Sequence, residues 1–425
     1  MLQVGALDRY VSPLGGHSSP FADWASAATN IQDAIDVAAA GDTIWVTNGI
    51  YEYGGRIATG GSLSNRVALT KALTLRSVNG PEVTIIKGSQ TPLSTNGTKS
   101  VRCAWVGNGA TLSGFTLIDG STLATGPDSN GGGAFCQSSN AVITNCIITG
   151  NAAGGNGGGV YQGTLQDCIV STNAAANGGG AYNAKIVECT IIDNRAAVGG
   201  GVYCASVGYF ISDSLLSSNH SSLRGGAVYQ GTLNRCVLQG NSARSQGGGA
   251  CQSLVDHCIL KDNAAFDGGG AYNSALTNSA LFYNFATNGG GLLCSAPGAG
   301  SLLNCSVVGN RATTGAGVSG GRAVNSIIYY NTADAESNLP VLTNCCTDLL
   351  PSTLSRNVIA SEPMLLSDGI HLKPGSPCIG SGTNSGNLAV DIDNQNWANP
   401  PSIGCDEWSP TPLFSSNVRV LPNDI

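Results

Sequence analysis

Between Gly131 and Tyr330 the apolar positions return in a fixed phrase. A glycine block is followed by a small or β-branched residue, usually a tyrosine, and short apolar pairs that end in asparagine. The glycine blocks begin at Gly131, Gly157, Gly178, Gly199, Gly225, Gly247, Gly268, Gly289 and Gly315, spaced 21, 22 or 26 residues apart. The closing asparagines are Asn151, Asn173, Asn194, Asn219, Asn241, Asn263, Asn284, Asn310 and Asn331. Three residues before each of them stands Ile, Val or Leu, from Ile148 to Ile328. Eight residues before, the column from Ile143 to Ala323 is again apolar; five before, it is cysteine or serine. Self-similarity at a fixed period of this length means a solenoid.

The residue types decide which solenoid. A helical repeat needs stretches of 3.6-residue periodicity built from helix formers, whereas these units hold β-branched pairs broken by glycine and asparagine. Three short strands and three turns fit in one unit, giving one coil of a parallel β-helix, with coils stacked about 4.8 Å apart. Uniformly apolar or small columns are what an inward-facing stack requires.

The phrase resembles the polymorphic outer-membrane-protein type repeat of bacterial secreted proteins in the pectate-lyase-like superfamily. The opening Thr29 to Asp36, Gly41 to Val46 and Asn48 to Tyr51 is similar to the usual start of such proteins. Pro374 to Cys378, Asp391-Ile-Asp393 and Ile403 to Glu407 are similar to their usual close. The resemblance implies an all-β, single-stranded right-handed parallel β-helix with an N-terminal capping helix and an irregular C-terminal cap. It also implies an extracellular or cell-surface protein, although residues 1–5 lack the basic start and apolar run of a secretion signal. It does not select a function, because one fold hosts many.

Four regions follow. Residues 1–130 form an N-terminal cap and irregular first coils, with Ile31, Ala34, Ile35 and Ala38 at helical spacing, Asn30 as N-cap and Gly41 as stop. Residues 131–331 are the regular repeats, 332–408 the C-terminal coils and cap, and 409–425 a linker and tail strand. A lone strand must pair with something, so self-association through the caps or residues 409–425 is an expectation. Three coils carry insertions near residues 137–140, 205–209 and 295–300, which read either as a row of contact loops or as the product of repeat duplication.

Charge changes the picture by exclusion. A net charge of −7 with 19 Lys+Arg argues against a nucleic-acid partner, and no apolar run is long enough for a membrane helix. Of the 15 cysteines, six share one repeat column, as a stack of buried thiols or a disulfide ladder. Cys378 and Cys405, with Cys345 or Cys346, lie outside the columns and are the better disulfide candidates.

Candidate chemistry is sparse. Six residues before the closing asparagines, consecutive coils present Asp167, Glu188, Asp213, Arg235 and His257. Acidic side chains one coil apart repel unless paired or bridged, so this column reads as an alternating charge ladder on an outer strand. The sharper reading places calcium at Asp167 and Glu188, and a catalytic set of Asp213, Arg235 and His257 acting on a uronic acid. The aromatic column Phe135, Tyr161, Tyr182, Tyr203, Tyr229 and Tyr272 either fills the core or forms an outward stripe for sugar rings. No Asp-Asp pair and no Gly-His-Gly occurs, so the polygalacturonase pattern is missing. These observations lean away from an enzyme and toward a structural, adhesive or self-assembling scaffold. The alternative is a β-helix that binds polysaccharide, or degrades it as a lyase or glycoside hydrolase.

Overall fold

The computed structural model describes residues 6–92, 94–335, 338–349, 354–384 and 390–410. The chain is an all-β parallel solenoid and falls into two units, Met1–Cys204 and Ala205–Ile425. The expected tail strand, beyond Pro410, lies outside the described residues.

In the first unit the strands stack in the register that the columns predict. Ile143 pairs with Leu165 and Leu165 with Ile186; Ile148 pairs with Val170 and Val170 with Ile191. All six side chains are fully buried. The unit opens with the helix Ile31–Val37, whose N-cap Asn30 accepts a hydrogen bond from the Asp33 amide at 2.9 Å. Gln32 Oε1 accepts from the buried Ala68 amide at 2.8 Å, so the helix satisfies a backbone group of strand Ser64–Leu69 as well as covering apolar surface. The helix stops at Val37 with Ala38 already extended, ahead of the expected Gly41, which sits in the following turn at φ +94.

In the second unit Leu233 pairs with Val255, then Leu276, Leu302, Ala323 and Leu342 in succession. Leu238, Leu260, Leu281, Val307 and Ile328 form the parallel column on the next strand. The irregular C-terminal segment lies over the outer face of these later strands. Leu365, Leu372, Cys378, Ile392, Ile403 and Cys405 pack on the outward side chains of Ala280, Phe282, Val308, Ile327 and Cys346.

The closing asparagines form ladders inside both units. Asn241 donates both its backbone N–H and its Nδ2 to Asn263 Oδ1 at 3.0 Å, and Asn263 does the same to Asn284. Asn263 Nδ2 also donates to Leu238 O at 2.9 Å, so the amide is fully used. These asparagines do not adopt the left-handed conformation expected of a turn asparagine. That conformation falls one residue earlier, at Thr172, Asp193, Ser218, Asp262, Tyr283 and Tyr330. The glycine blocks have a steric cause: a Cβ on Gly158 would meet Ala174 O at 2.4 Å and Gly179 O at 2.5 Å in the neighbouring coil.

The ladder gives a test. Asn263→Ala strands the buried Asn241 N–H, takes one of the two bonds from Asn241 Nδ2, which keeps Leu216 O, and removes a donor from the Leu238 carbonyl, each lost bond worth about 1–3 kcal/mol. The expected loss is about 3 kcal/mol or more in denaturant unfolding. Asn331→Ala, at the half-buried end of the ladder, should cost distinctly less.

Candidate functional site

The second unit carries a groove of about 1050 Å³ on the outer face of its strands. Its floor follows from strand alternation. Val255, Leu276, Leu302, Ala323 and Leu342 point inward and are buried, so Leu254, Ala275, Ser301, Arg322 and Val341, paired one after another, point outward. Thr343 and Arg356 extend the floor through the next pairing. Arg322 and Arg356 are exposed. One step along a strand pair and two coils separate them, about 12 Å between backbones.

One wall is the insertion at residues 295–300, and the sequence had marked it as a protruding loop. It is fastened at its start, where the Ser295 amide donates to Asn273 Oδ1 and Asn273 Nδ2 donates to Ser295 Oγ, both at 2.8 Å. Among the described residues the lining holds two arginines and no Asp, Glu, His or Lys. Neither arginine forms an ion pair with a described carboxylate. The electrostatics are therefore one-signed: two solvated guanidiniums over a floor of small and apolar side chains. Such a groove can grip carboxylates or sulfates; it holds no described group to move a proton.

The sequence-derived candidates lie elsewhere. Asp167, Glu188, Asp213, Arg235 and His257 all occupy left-handed corners between strands, at φ 50, 53, 52, 51 and 51. The column is thus a row of turn residues and not the outer-strand ladder expected from sequence. Asn278, Asn304 and Asn325 continue it, which is the residue type that tolerates this conformation best. Asp167 and Glu188 are exposed on adjacent coils and are not part of any metal-capable set among the described residues. The one such set is His371, Asp393 and Asp406, in the C-terminal segment.

Arg235 grips Asp213 with two hydrogen bonds, Nε to Oδ1 at 2.6 Å and Nη2 to Oδ2 at 2.9 Å. The Asp213 bonds hold the Arg235 guanidinium above its ordinary pKa. His257 lies 2.8 Å from Asp256 Oδ1 through Nδ1. Burial pushes the imidazole down, but the Asp256 bond and charge prevail and raise its pKa. Arg235 is thus already paired with Asp213, and His257 with Asp256, the last residue of the strand before its corner.

The aromatic column faces outward. Val160, Ala181 and Val202 are buried, while Tyr161, Tyr182 and Tyr203 beside them are half-buried. Phe135, Tyr161, Tyr182 and Tyr203 stack in sequence at 5.0, 5.4 and 4.9 Å between centroids, within 16° of parallel. Both faces of Tyr161 and Tyr182 are occupied by neighbouring rings, so edges and hydroxyls are what they offer a ligand. Tyr229 is half-buried in the second unit and Tyr272 is buried there. All fifteen cysteines are buried free thiols. Cys378 lies against Cys346, and Cys405 Sγ lies 3.3 Å from Ser306 Oγ, so the expected Cys378 and Cys405 bridges are not formed.

Sequence reasoning missed Arg322 and Arg356. Arg322 sits one residue before the inward column of Ala323, at an outward position, and reading those outward positions coil by coil would have found it. Arg356 lies past the end of the repeat phrase, where no period marks its facing.

No protein-family model matches the chain, and no curated protein is significantly similar to it. Among solved structures it is similar to pectate lyase Pel9A, at 14% identity and a TM-score of 0.41, covering 96% of this chain and 97% of that one. It is also similar to XylC solved with xylose, at 10% identity and a TM-score of 0.40, covering 85% and 87%. A third is the A-module of the Azotobacter vinelandii mannuronan C-5 epimerase AlgE4, at 12% identity and 0.38, covering 78% and 96%. The neighbours are right-handed β-helix proteins. The likeness concerns architecture, and nothing about this chain's chemistry follows from it.

The corner assignment predicts a small effect at Arg235. Its side chain is 42% exposed, so Arg235→Ala should cost no more than about 1 kcal/mol, visible as a minor shift in thermal unfolding. A loss of several kcal/mol would mean that the Asp213 pair holds the coil together.

Proposed function

We propose that this protein binds an acidic polysaccharide, a polymer of uronic acids, along the groove floored by Arg322 and Arg356. One observation carries the reading: two exposed guanidiniums, unpaired with described carboxylates, in a long groove whose described lining is free of acidic side chains. A guanidinium presents a planar fork that matches a carboxylate, and the separation of the two suits carboxylates on different sugar units of one chain. The apolar floor at Leu254, Ala275 and Val341 gives the sugar rings a surface to lie on. Binding without cleavage is the activity in view, because the described lining supplies no acid–base pair. An extracellular setting, where such polymers are met, belongs to the same proposal. Among the described residues no helix is long and apolar enough to cross a membrane. A scaffold that assembles through its tail has no observation behind it, since residues 411–425 lie outside the described ones.

The test is a binding isotherm with a soluble polyuronate and with a neutral polysaccharide of similar length. Saturable binding of the polyuronate, weakening as salt rises, is expected. Arg322→Ala should weaken it about 10-fold and the Arg322→Ala/Arg356→Ala pair about 100-fold, from the loss of charge-assisted hydrogen bonds. Equal affinity for the neutral polymer, or an unaffected double variant, would remove the proposal.

A further inference from the structure

The C-terminal segment alternates in a way the packing explains. Leu372, Ile392 and Cys405 turn toward the solenoid face, and the residues beside them, His371, Asp393 and Asp406, turn toward one another. One ligand atom from each of the three lies within 4.8 Å of the others. His371 Nδ1 lies 2.7 Å from Asp368 Oδ2, and Nε2 lies 2.7 Å from Asp393 Oδ2. His371 is buried, and Asp406 is 2% exposed.

Neighbouring carboxylates show what is unusual about Asp406. Asp391 is consumed by structure: its Oδ1 accepts from the amides of Asp393 and Gln395, and its Oδ2 from that of Glu407. Glu407 likewise accepts from the amides of Ala398 and Ser402 and from Ser402 Oγ. Asp406 Oδ1 is enclosed and has no hydrogen-bond partner. A buried carboxylate oxygen left in this state costs free energy unless something positive meets it. Among the described residues, Asp368, Asp393 and Asp406 gather around the single positive charge that His371 can carry.

We propose that His371 Nε2, Asp393 and Asp406 hold one divalent cation of the zinc class, with Asp368 supporting His371 from behind. The geometry gives each partner a role. A metal-bound imidazole characteristically gives its other N–H to a carboxylate, which is how Asp368 meets Nδ1. One nitrogen and two carboxylates suit zinc, whereas calcium takes oxygen ligands and larger coordination numbers. The ion would replace the contact between Nε2 and Asp393 and give Asp406 Oδ1 the partner it lacks. The three ligands come from separate stretches of the segment that covers the outer face of the second unit, so the ion would tie those stretches together, with water completing its tetrahedron. The uronate groove shares none of these residues.

The test uses the full chain freed of metal with a chelator, then titrated with zinc chloride and with calcium chloride by calorimetry and thermal unfolding. One zinc per chain and a rise in Tm are expected, with no comparable response to calcium. Asp406→Asn should abolish the zinc response while leaving the metal-free Tm unchanged or raised, because it removes an unsatisfied carboxylate. Asp368→Asn should weaken zinc about 10- to 100-fold. X-ray absorption separates this site from the fifteen thiols: nitrogen and oxygen neighbours near about 2.0–2.1 Å support it. A sulfur shell near about 2.3 Å, or a zinc response that survives Asp406→Asn, overturns it.

Discussion

Each coil satisfies its backbone only through its neighbours, and this constraint governs the rest of the molecule. Strands of two to four residues make no stable structure alone; in register they donate and accept coil by coil, as Val160 does to Gly180 O and Thr164 to Ala141 O. The buried asparagine ladder repeats the same logic with side chains, closing the turn where a strand ladder is interrupted. Register is then fixed: a slip of one residue would carry Leu233, Val255 and Leu276 to the outside together. Glycine at the close approaches and left-handed residues at the corners follow from the same stacking.

Inward positions are therefore spoken for, and function is left to the outward ones. In the second unit the outward face has two uses. On the strands Ala280–Phe282, Ser306–Val308 and Ile327–Tyr329 of successive coils, Phe282, Val308 and Ile327 are apolar and are covered by the C-terminal segment. On the strand that precedes it in each coil, Leu254, Ser301 and Arg322 stay open and floor the groove. The insertion at residues 295–300 needs no break in the stack, because its coil resumes register at Ser301. Two arginines on such a floor gain their meaning from a described lining that holds no acidic side chain. Arg235 carries the same charge but spends it on Asp213.

The repeat phrase made the fold legible because stacking imposes the same demand on every coil; the columns through Ile148 and Ile143 read directly as the core. The asparagine ladder was also legible, though its conformation was not, since the left-handed residue stands one place earlier. The charged column misled for a physical reason. Sequence alone does not separate a corner from an outer strand, and Asp167, Asp213 and the later asparagines are there because a left-handed backbone suits them. The tyrosine facing was open until the strand Val160–Tyr161 showed Val160 inside. The covered face was written in the chain as apolar residues at outward positions, Phe282 and Val308, where Thr149 and Ser171 stand earlier. The convergence of His371, Asp393 and Asp406 depends on how an aperiodic segment folds over that face, and no repeat announces it.

The most direct test of the groove assignment is a crystal structure of the protein with a short oligouronate. The account predicts sugar density along the strand face beside residues 295–300, with carboxylates of separate units on Arg322 and Arg356. An oligouronate seated instead on the edge of the Tyr161–Tyr203 stripe or at the Asp213–Arg235 corner, with the groove clear, would contradict it.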